Sequence, residues 1–292
     1  MSSYKGNTKR VSFNFKAIYP RLDIWHELIY TYIKRKVRCS IMRRLLEVMQ
    51  LGKSYDGKKV VDNMSFNVDE GEIIGFLGPN GAGKSTTIRM ITGIESNDRG
   101  TVSFIGKNIN TCMKDYQHSI GVVPQEIALY NDLSAYDNVR FFCSLYGYRK
   151  SELEGRTKDA LEFVGLWDRR KEKPGKFSGG MKRRLNIACS IAHSPKLLIM
   201  DEPTVGIDPQ SRNNIMEAIK ILNSKGTTII YVSHYMEEIE SLCNRVVIAD
   251  KGHVIEDIDK EELKKKYKSQ GKNNLEEIFL HITGTQLRDG EV

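Results

Sequence analysis

The run Gly78-Pro79-Asn80-Gly81-Ala82-Gly83-Lys84-Ser85-Thr86 constrains the fold of this 292-residue chain more than any other stretch. It fits Gly-x4-Gly-Lys-Ser/Thr, a phosphate-binding loop whose glycines let successive backbone N–H groups converge on an anion. The flanks fit the same reading: Glu72-Ile73-Ile74-Gly75-Phe76-Leu77 reads as a short buried strand entering the loop, and Thr87-Ile88-Arg89-Met90-Ile91 as the helix leaving it. A helix N-terminus beside the glycine turn adds partial positive charge to those amides. The stretch therefore predicts a nucleoside-triphosphate site, with Lys84 reaching the β- and γ-phosphates and the Ser85 hydroxyl ligating Mg2+. A chance glycine turn before a helix would match the bare pattern too, so partner motifs elsewhere must carry part of the weight.

From Met42 onward, strands and helices alternate as in a βαβ protein. The first strand signal is Arg44-Leu45-Leu46-Glu47-Val48-Met49; Val60-Val61 to Asn67-Val68 is β-rich, and Thr101-Val102-Ser103-Phe104-Ile105 follows the loop unit. A mainly helical stretch runs from about 134 to 192, with helical spacing at Val139, Phe142, Cys143 and Tyr146 and again at Leu153, Ala160, Leu161 and Val164. Parallel-sheet signals resume at Leu197-Leu198-Ile199-Met200, Thr228-Ile229-Ile230-Tyr231-Val232 and Val246-Val247-Ile248-Ala249. The expected organisation is a basic extension over 1–41, a nucleotide-binding domain over 42–256 interrupted by a helical insert at about 134–192, and a helical tail over 257–292.

The net charge of +8 suggests nucleic acid until its distribution is read. Residues 1–46 hold eleven Lys/Arg against Asp23 and Glu27, a net +9, which leaves −1 on all the rest. Within that leader Leu22, Trp25, Leu28, Ile29, Tyr32 and Ile33 recur at helical spacing ahead of Lys34-Arg35-Lys36-Val37-Arg38. The leader reads as a basic amphipathic helix for a membrane surface or a partner, as a mobile extension, or as translated sequence upstream of a start at Met42. Five widely spaced cysteines (Cys39, Cys112, Cys143, Cys189, Cys243) form no Cys-x-x-Cys pair, which suits reduced thiols without a disulfide framework or zinc site. No stretch approaches the roughly 18 apolar residues of a spanning helix, and no signal-peptide core is present, so a membrane role is expected to come through a partner.

Two further stretches bear on the site. Leu197 to Met200 reads as a buried strand ending in Asp201-Glu202. A carboxylate at the C-terminal end of a parallel strand beside a phosphate loop meets the Mg2+ shell, which suits Asp201, and Glu202 is the natural general base for the attacking water. Phe177-Ser178-Gly179-Gly180-Met181-Lys182-Arg183-Arg184 opens a helix continuing through Leu185, Ile187, Ala188 and Ile191, with Ser178 as N-cap. This is a second anion-binding helix start, although one triphosphate needs one cradle.

The ordered set of Gly78 to Thr86, Gln125 in Val122-Val123-Pro124-Gln125, Ser178-Gly179-Gly180, Asp201-Glu202, Gly206-Ile207-Asp208 and His234 resembles the nucleotide-binding subunit of an ATP-binding-cassette (ABC) transporter over about 44–256. The resemblance implies an α/β fold: a P-loop NTPase core with a mixed, largely parallel sheet, an N-terminal antiparallel β subdomain and a helical subdomain insert. It implies ATP and Mg2+ as ligands, and a head-to-tail homodimer in which Ser178, Gly179 and Gly180 of one copy close over the ATP of the other. Tyr55 would stack on adenine, Gln125 would sense Mg2+ and the γ-phosphate and face a transmembrane partner, Asp208 would communicate across the dimer, and His234 would contact the γ-phosphate. Tyr55, Gln125 and His234 also have plain readings, as a surface tyrosine, a loop residue and a strand-end cap.

Phe177 stands where the family usually has Leu, and Met181 replaces the commoner Gln, neither change touching Ser178-Gly179-Gly180. Phe177 to Leu185, with the tail Leu275-Glu276-Glu277-Ile278-Phe279-Leu280-His281-Ile282-Thr283-Gly284, is similar to drug- and lipid-resistance exporters of the daunorubicin type. Those pair a separate ATPase subunit with membrane permease subunits, which implies peripheral attachment at the cytoplasmic face of the cell membrane and no nucleic-acid partner. An import ATPase, a soluble non-transport machine of the same class, and a leader that binds nucleic acid are the alternatives.

Overall fold

Two sheets and the helices around them form the fold. The structure, a computed structural model, describes residues 43–272 and 274–284. The leader readings, Cys39 and Met42 lie outside the described residues. Strand β1 (Arg44–Tyr55) turns through Asp56-Gly57 into β2 (Lys58–Asp69), and both pair antiparallel in a four-stranded sheet completed by β4 (Arg99–Phe104) and β5 (Lys107–Asn108), in the order β2-β1-β4-β5. Between them, β3 (Ile73–Leu77) leads through the glycine loop to helix α1 (Lys84–Ile91).

After β5 come α2 (Met113–Ser119), β6 (Ile120–Val123) and three helices: α3 (Ala135–Ser144), α4 (Lys150–Phe163) and α5 (Gly179–Ile191). Then β7 (Leu197–Asp201), α6 (Pro209–Ser224), β8 (Thr228–Val232), α7 (Met236–Leu242), β9 (Arg245–Asp250) and β10 (His253–Asp259) complete a second, six-stranded sheet. Its order is β10-β9-β3-β8-β7-β6, parallel throughout except for β10. Helices α8 (Lys260–Lys268) and α9 (Leu275–Thr283) follow.

The sheet is covered on both faces, as a parallel sheet requires, so its strands are continuously apolar. Alternation of side chains divides them between two cores. Leu77, Leu198, Met200, Ile229, Tyr231 and Ile248 join the cluster formed by α3 to α7 with α8 and α9. Ile74, Phe76, Leu197, Ile199, Ile230 and Val247 face the antiparallel sheet and α1. Each core side chain contributes roughly 1.5–3 kcal/mol of burial, so the two clusters bind three layers into one body.

Strand β10 continues to Asp259, past residue 256 where the nucleotide-binding domain is expected to end. It lies at the edge of the sheet, pairs on one side with β9 and alternates between exposed and half-buried residues, so it lacks the apolar run of the central strands. The tail itself contains α8, capped by Asp259, and α9, capped by Asn274. Among the described residues no helix is long and apolar enough to cross a membrane, and Cys112, Cys143, Cys189 and Cys243 are free thiols.

Candidate functional site

Strand order assembles the site. Strands β3, β8, β7 and β6 lie side by side and parallel, so the segments leaving their C-terminal ends emerge along one edge. In that order they carry Gly78–Thr86, Ser233-His234, Asp201-Glu202 and Pro124-Gln125. Ligands of open α/β sheets bind in this crevice.

The loop itself is shaped by Gly83, which has φ +88° at the N-cap of α1; a Cβ there would meet the Val60 carbonyl oxygen at 2.8 Å. Helix α1 starts without a side-chain cap and without an acid in its first turn, leaving its N-terminal amides to an incoming anion. Lys84 is buried, and its Nζ donates to the carbonyl oxygens of Gly78 (2.7 Å) and Pro79 (3.0 Å). Burial lowers the Lys84 pKa, and the charges of Glu202 and Asp201 oppose that shift. Burial raises the pKa of Asp201, helped by neighbouring Glu202, while Lys84 and His234 act against it. Ser85 is exposed at the start of α1.

Glu202 stands one residue past β7 and is buried at 8 % exposure. Its backbone is in the left-handed region at φ 46°, a conformation costing on the order of 1–3 kcal/mol, and its N–H is held by the Val232 carbonyl at 2.9 Å. Its two carboxylate oxygens are shared: Gln125 Nε2 donates to Oε2 at 2.8 Å, and His234 Nε2 meets Oε1. Gln125, Glu202 and His234 thus form one hydrogen-bonded row across the ends of β6, β7 and β8.

Ser178 caps α5, its Oγ accepting from Met181 N at 3.3 Å, as the sequence suggested. Asp208 caps α6, accepting from Ser211 N at 2.9 Å, and that bond holds its carboxyl below the usual range. These two helix starts touch within one chain. A Cβ on Gly180 would lie 2.3 Å from Ser211 Oγ and 3.5 Å from Asp208 Oδ2, so only glycine allows the approach. Among the described residues no hydrogen bond joins Ser178, Gly179 or Gly180 to Gly78–Thr86. Tyr55, an exposed residue, ends β1 with its hydroxyl bonded to Glu95 and within 3.4 Å of an Arg89 donor.

Sequence reasoning gave no role to Arg183. The residue is 3 % exposed, and its guanidinium donates to the carbonyl oxygens of Pro124 (2.7 Å) and Gln125 (2.6 Å), tying the helix that starts at Ser178 to the segment that touches Glu202. The available signal was a charge on the helix face shared by Gly180 and Ile187, a place where an unpaired charge is costly.

A phosphate loop after β3, a carboxylate pair at the end of β7 two strands away in the same parallel sheet, and a capped Ser-Gly-Gly helix start define an ATP-binding-cassette ATPase. The chain belongs to the family of ABC transporter ATP-binding subunits, whose model, described as ABC transporter, matches residues 61–205. It is 51% identical over 211 residues (72% of this chain, 68% of the relative) to the linearmycin resistance ATP-binding protein LnrL of Bacillus subtilis (strain 168). It is 39% identical over 210 residues to the Nod factor export ATP-binding protein I of Burkholderia thailandensis, covering 72% of this chain and 69% of that one. Among solved structures it superposes on an ATP-binding subunit of an ABC transporter with TM-score 0.74 at 31% identity, covering 82% of this chain and 99% of the other. A dimeric ATP-binding cassette in a post-hydrolysis state with ADP and Pi matches with TM-score 0.66 at 26% identity, over 74% of this chain and 98% of that one. The chain is thus an ATP-binding and hydrolysing subunit.

Proposed function

We propose that this subunit energises export of an antibiotic-like or lipid-like molecule through a separate membrane permease, working at the cytoplasmic face as a head-to-tail homodimer with two Mg-ATP at its interface. The observation that carries the catalytic half is the row Gln125–Glu202–His234 beside Lys84. The export half rests on the likeness to a resistance protein and a Nod factor export protein.

Ser85, Gln125 and Asp201 offer a hydroxyl, an amide and a carboxylate, an oxygen set that suits Mg2+, which takes its other ligands from water and substrate phosphates. Among the described residues no group of three or more His, Cys, Asp or Glu could hold a metal alone, which fits an ion brought in with nucleotide. When bound, Mg2+ neutralises charge on the phosphates. The amides of Gly78–Thr86 and the start of α1 hold the triphosphate, and Lys84 exchanges its loop carbonyls for phosphate oxygens. Tyr55 stacks on adenine. Glu202 takes the proton of the attacking water, its carboxylate aimed by Gln125 on one oxygen and His234 on the other. His234 then contacts the γ-phosphate. Ser178, Gly179 and Gly180 close over the ATP of the second copy, with Asp208 packed behind them to relay closure.

The permease fits an apolar groove of about 530 Å3 between α2, β6 and α3, lined by Ile94, His118, Pro124, Phe142, Leu145 and Tyr146. Pro124 adjoins Gln125, so a helix seated there would move the same segment that touches Glu202. Replacing Glu202 with Gln tests the reading: ATP binding should persist, turnover should stop, and a nucleotide-trapped dimer should appear on size-exclusion chromatography. Wild-type turnover in that variant would remove Glu202 from the mechanism.

A further inference from the structure

Glu238 is a carboxylate with 1 % exposure, on α7, four residues after His234, and the proposed mechanism gives it no task. An isolated buried carboxylate is strongly unfavourable, so its partners indicate its role. Thr204 Oγ1 donates to Oε1 at 2.6 Å; Tyr231 OH and Ser233 Oγ donate to Oε2 at 2.8 and 2.7 Å. Arg212 Nε forms an ion pair with Oε1 at 3.5 Å.

Those four partners, three hydroxyl donors and one paired guanidinium, come from three segments that the catalytic row depends on. Thr204 is two residues past Glu202, in the turn closed by Val205 N to the Glu202 carbonyl. Ser233 immediately precedes His234, and its Oγ also accepts from Tyr235 N at 3.0 Å, closing the turn on which His234 stands. Arg212 lies in the first turn of α6, its N–H on the Asp208 carbonyl at 2.9 Å, and its guanidinium sits 4.7 Å from the centre of the Tyr235 ring. We infer that Glu238 is a positioning residue for hydrolysis: one buried carboxylate sets the His234 turn against the Glu202 turn and ties both to the Asp208 helix. The inference rests on the reading of Glu202 and His234 given above.

Direct hydrogen bonds to an ionised acceptor are roughly twice as strong as neutral ones, so the charge as well as the shape of Glu238 holds this junction. Glu238→Gln keeps the shape and removes the charge. In full-length protein it should bind one ATP per chain with Kd within about twofold of wild type while kcat falls at least tenfold, since positioning acts on the transition state. Added to His234→Ala, the same substitution should lower the remaining rate by clearly less than about tenfold, because the part of its effect that passes through His234 is already lost. A kcat within about twofold of wild type, or an undiminished tenfold loss on top of His234→Ala, would overturn the inference. Wild-type turnover by His234→Ala alone would instead overturn the assignment of His234 and the inference with it. Thr204→Val, which removes one donor at constant shape, gives the same readouts if Glu238→Gln does not accumulate as folded protein; threefold or greater loss of kcat with unchanged ATP stoichiometry is expected, and no loss refutes.

Discussion

Arg183→Met puts a magnitude on the link between the Ser178 helix and the Gln125 segment. The wild-type guanidinium makes two bonds to backbone carbonyls, at 2.7 and 2.6 Å, and leaves its Nε buried without a partner. Hydrogen bonds to charged groups contribute about 1.5–3 kcal/mol each. Against this stands the desolvation of the charge, which lowers the Arg183 pKa, and the orphaned Nε, both removed by methionine. The balance is a loss of roughly 2–4 kcal/mol, because two carbonyls in the Gln125 segment lose their donors. In a domain of this size that lowers Tm by roughly 5–10 °C. The freed segment no longer aims Gln125 Nε2 at Glu202, so kcat should fall several-fold further than any folding loss explains, with ATP affinity little changed. Arg183→Lys should fall between, since an ammonium cannot span both carbonyls with a planar fork. Differential scanning calorimetry and steady-state ATPase assays check both parts. A Tm within about 2 °C of wild type together with an unchanged kcat would refute the clamp.

Two other perturbations test separate elements. His193 is buried, stacked on Tyr146 at 3.7 Å between ring centres and bonded through Nε2 to the Ile120 carbonyl at 2.9 Å, and burial pushes its pKa down to about 4. The unfolded chain binds a proton near pH 6.5 that the folded chain refuses until about 4, so stability falls as pH drops through that window, by on the order of 3 kcal/mol. Urea unfolding across this range should show the loss in wild type and a smaller one in His193→Gln; equal slopes would contradict it. Gly180→Ala places a Cβ 2.3 Å from Ser211 Oγ and should cost about 1–3 kcal/mol by thermal melting. In a Ser211→Gly background the cost should largely disappear, and an undiminished cost would show that the two helix starts do not press on each other.

What could be read in the sequence was what is local. Gly78–Thr86, Asp201-Glu202 and the Ser178 cap each depend on neighbours within a few residues, and strand, turn and helix fall where those residues direct. Gln125 and His234 came from family resemblance, because nothing local to them signals a bond to Glu202. Gln125 and Glu202 are 77 residues apart and meet only because β6 neighbours β7. Arg183 and Glu238 were illegible for a related reason: a charge on a helix reads as solvent-facing until packing buries it. Strand β10 escaped notice because an edge strand with one half-buried face has too few apolar residues to set it apart from a loop.

The ATP site is held to be completed by a second copy, and mixing two inactive chains tests that most directly. Lys84→Ala should fail to grip the triphosphate, and Ser178→Arg should bind ATP yet fail to close over a partner's nucleotide. Each alone should hydrolyse ATP at a small fraction of the wild-type rate. In a head-to-tail dimer the mixed pair regains one intact site, with Gly78–Thr86 from the Ser178→Arg chain and Ser178–Gly180 from the Lys84→Ala chain. Mixing should therefore restore turnover well above either variant. Activity no greater than the sum of the two separate chains would contradict the shared site.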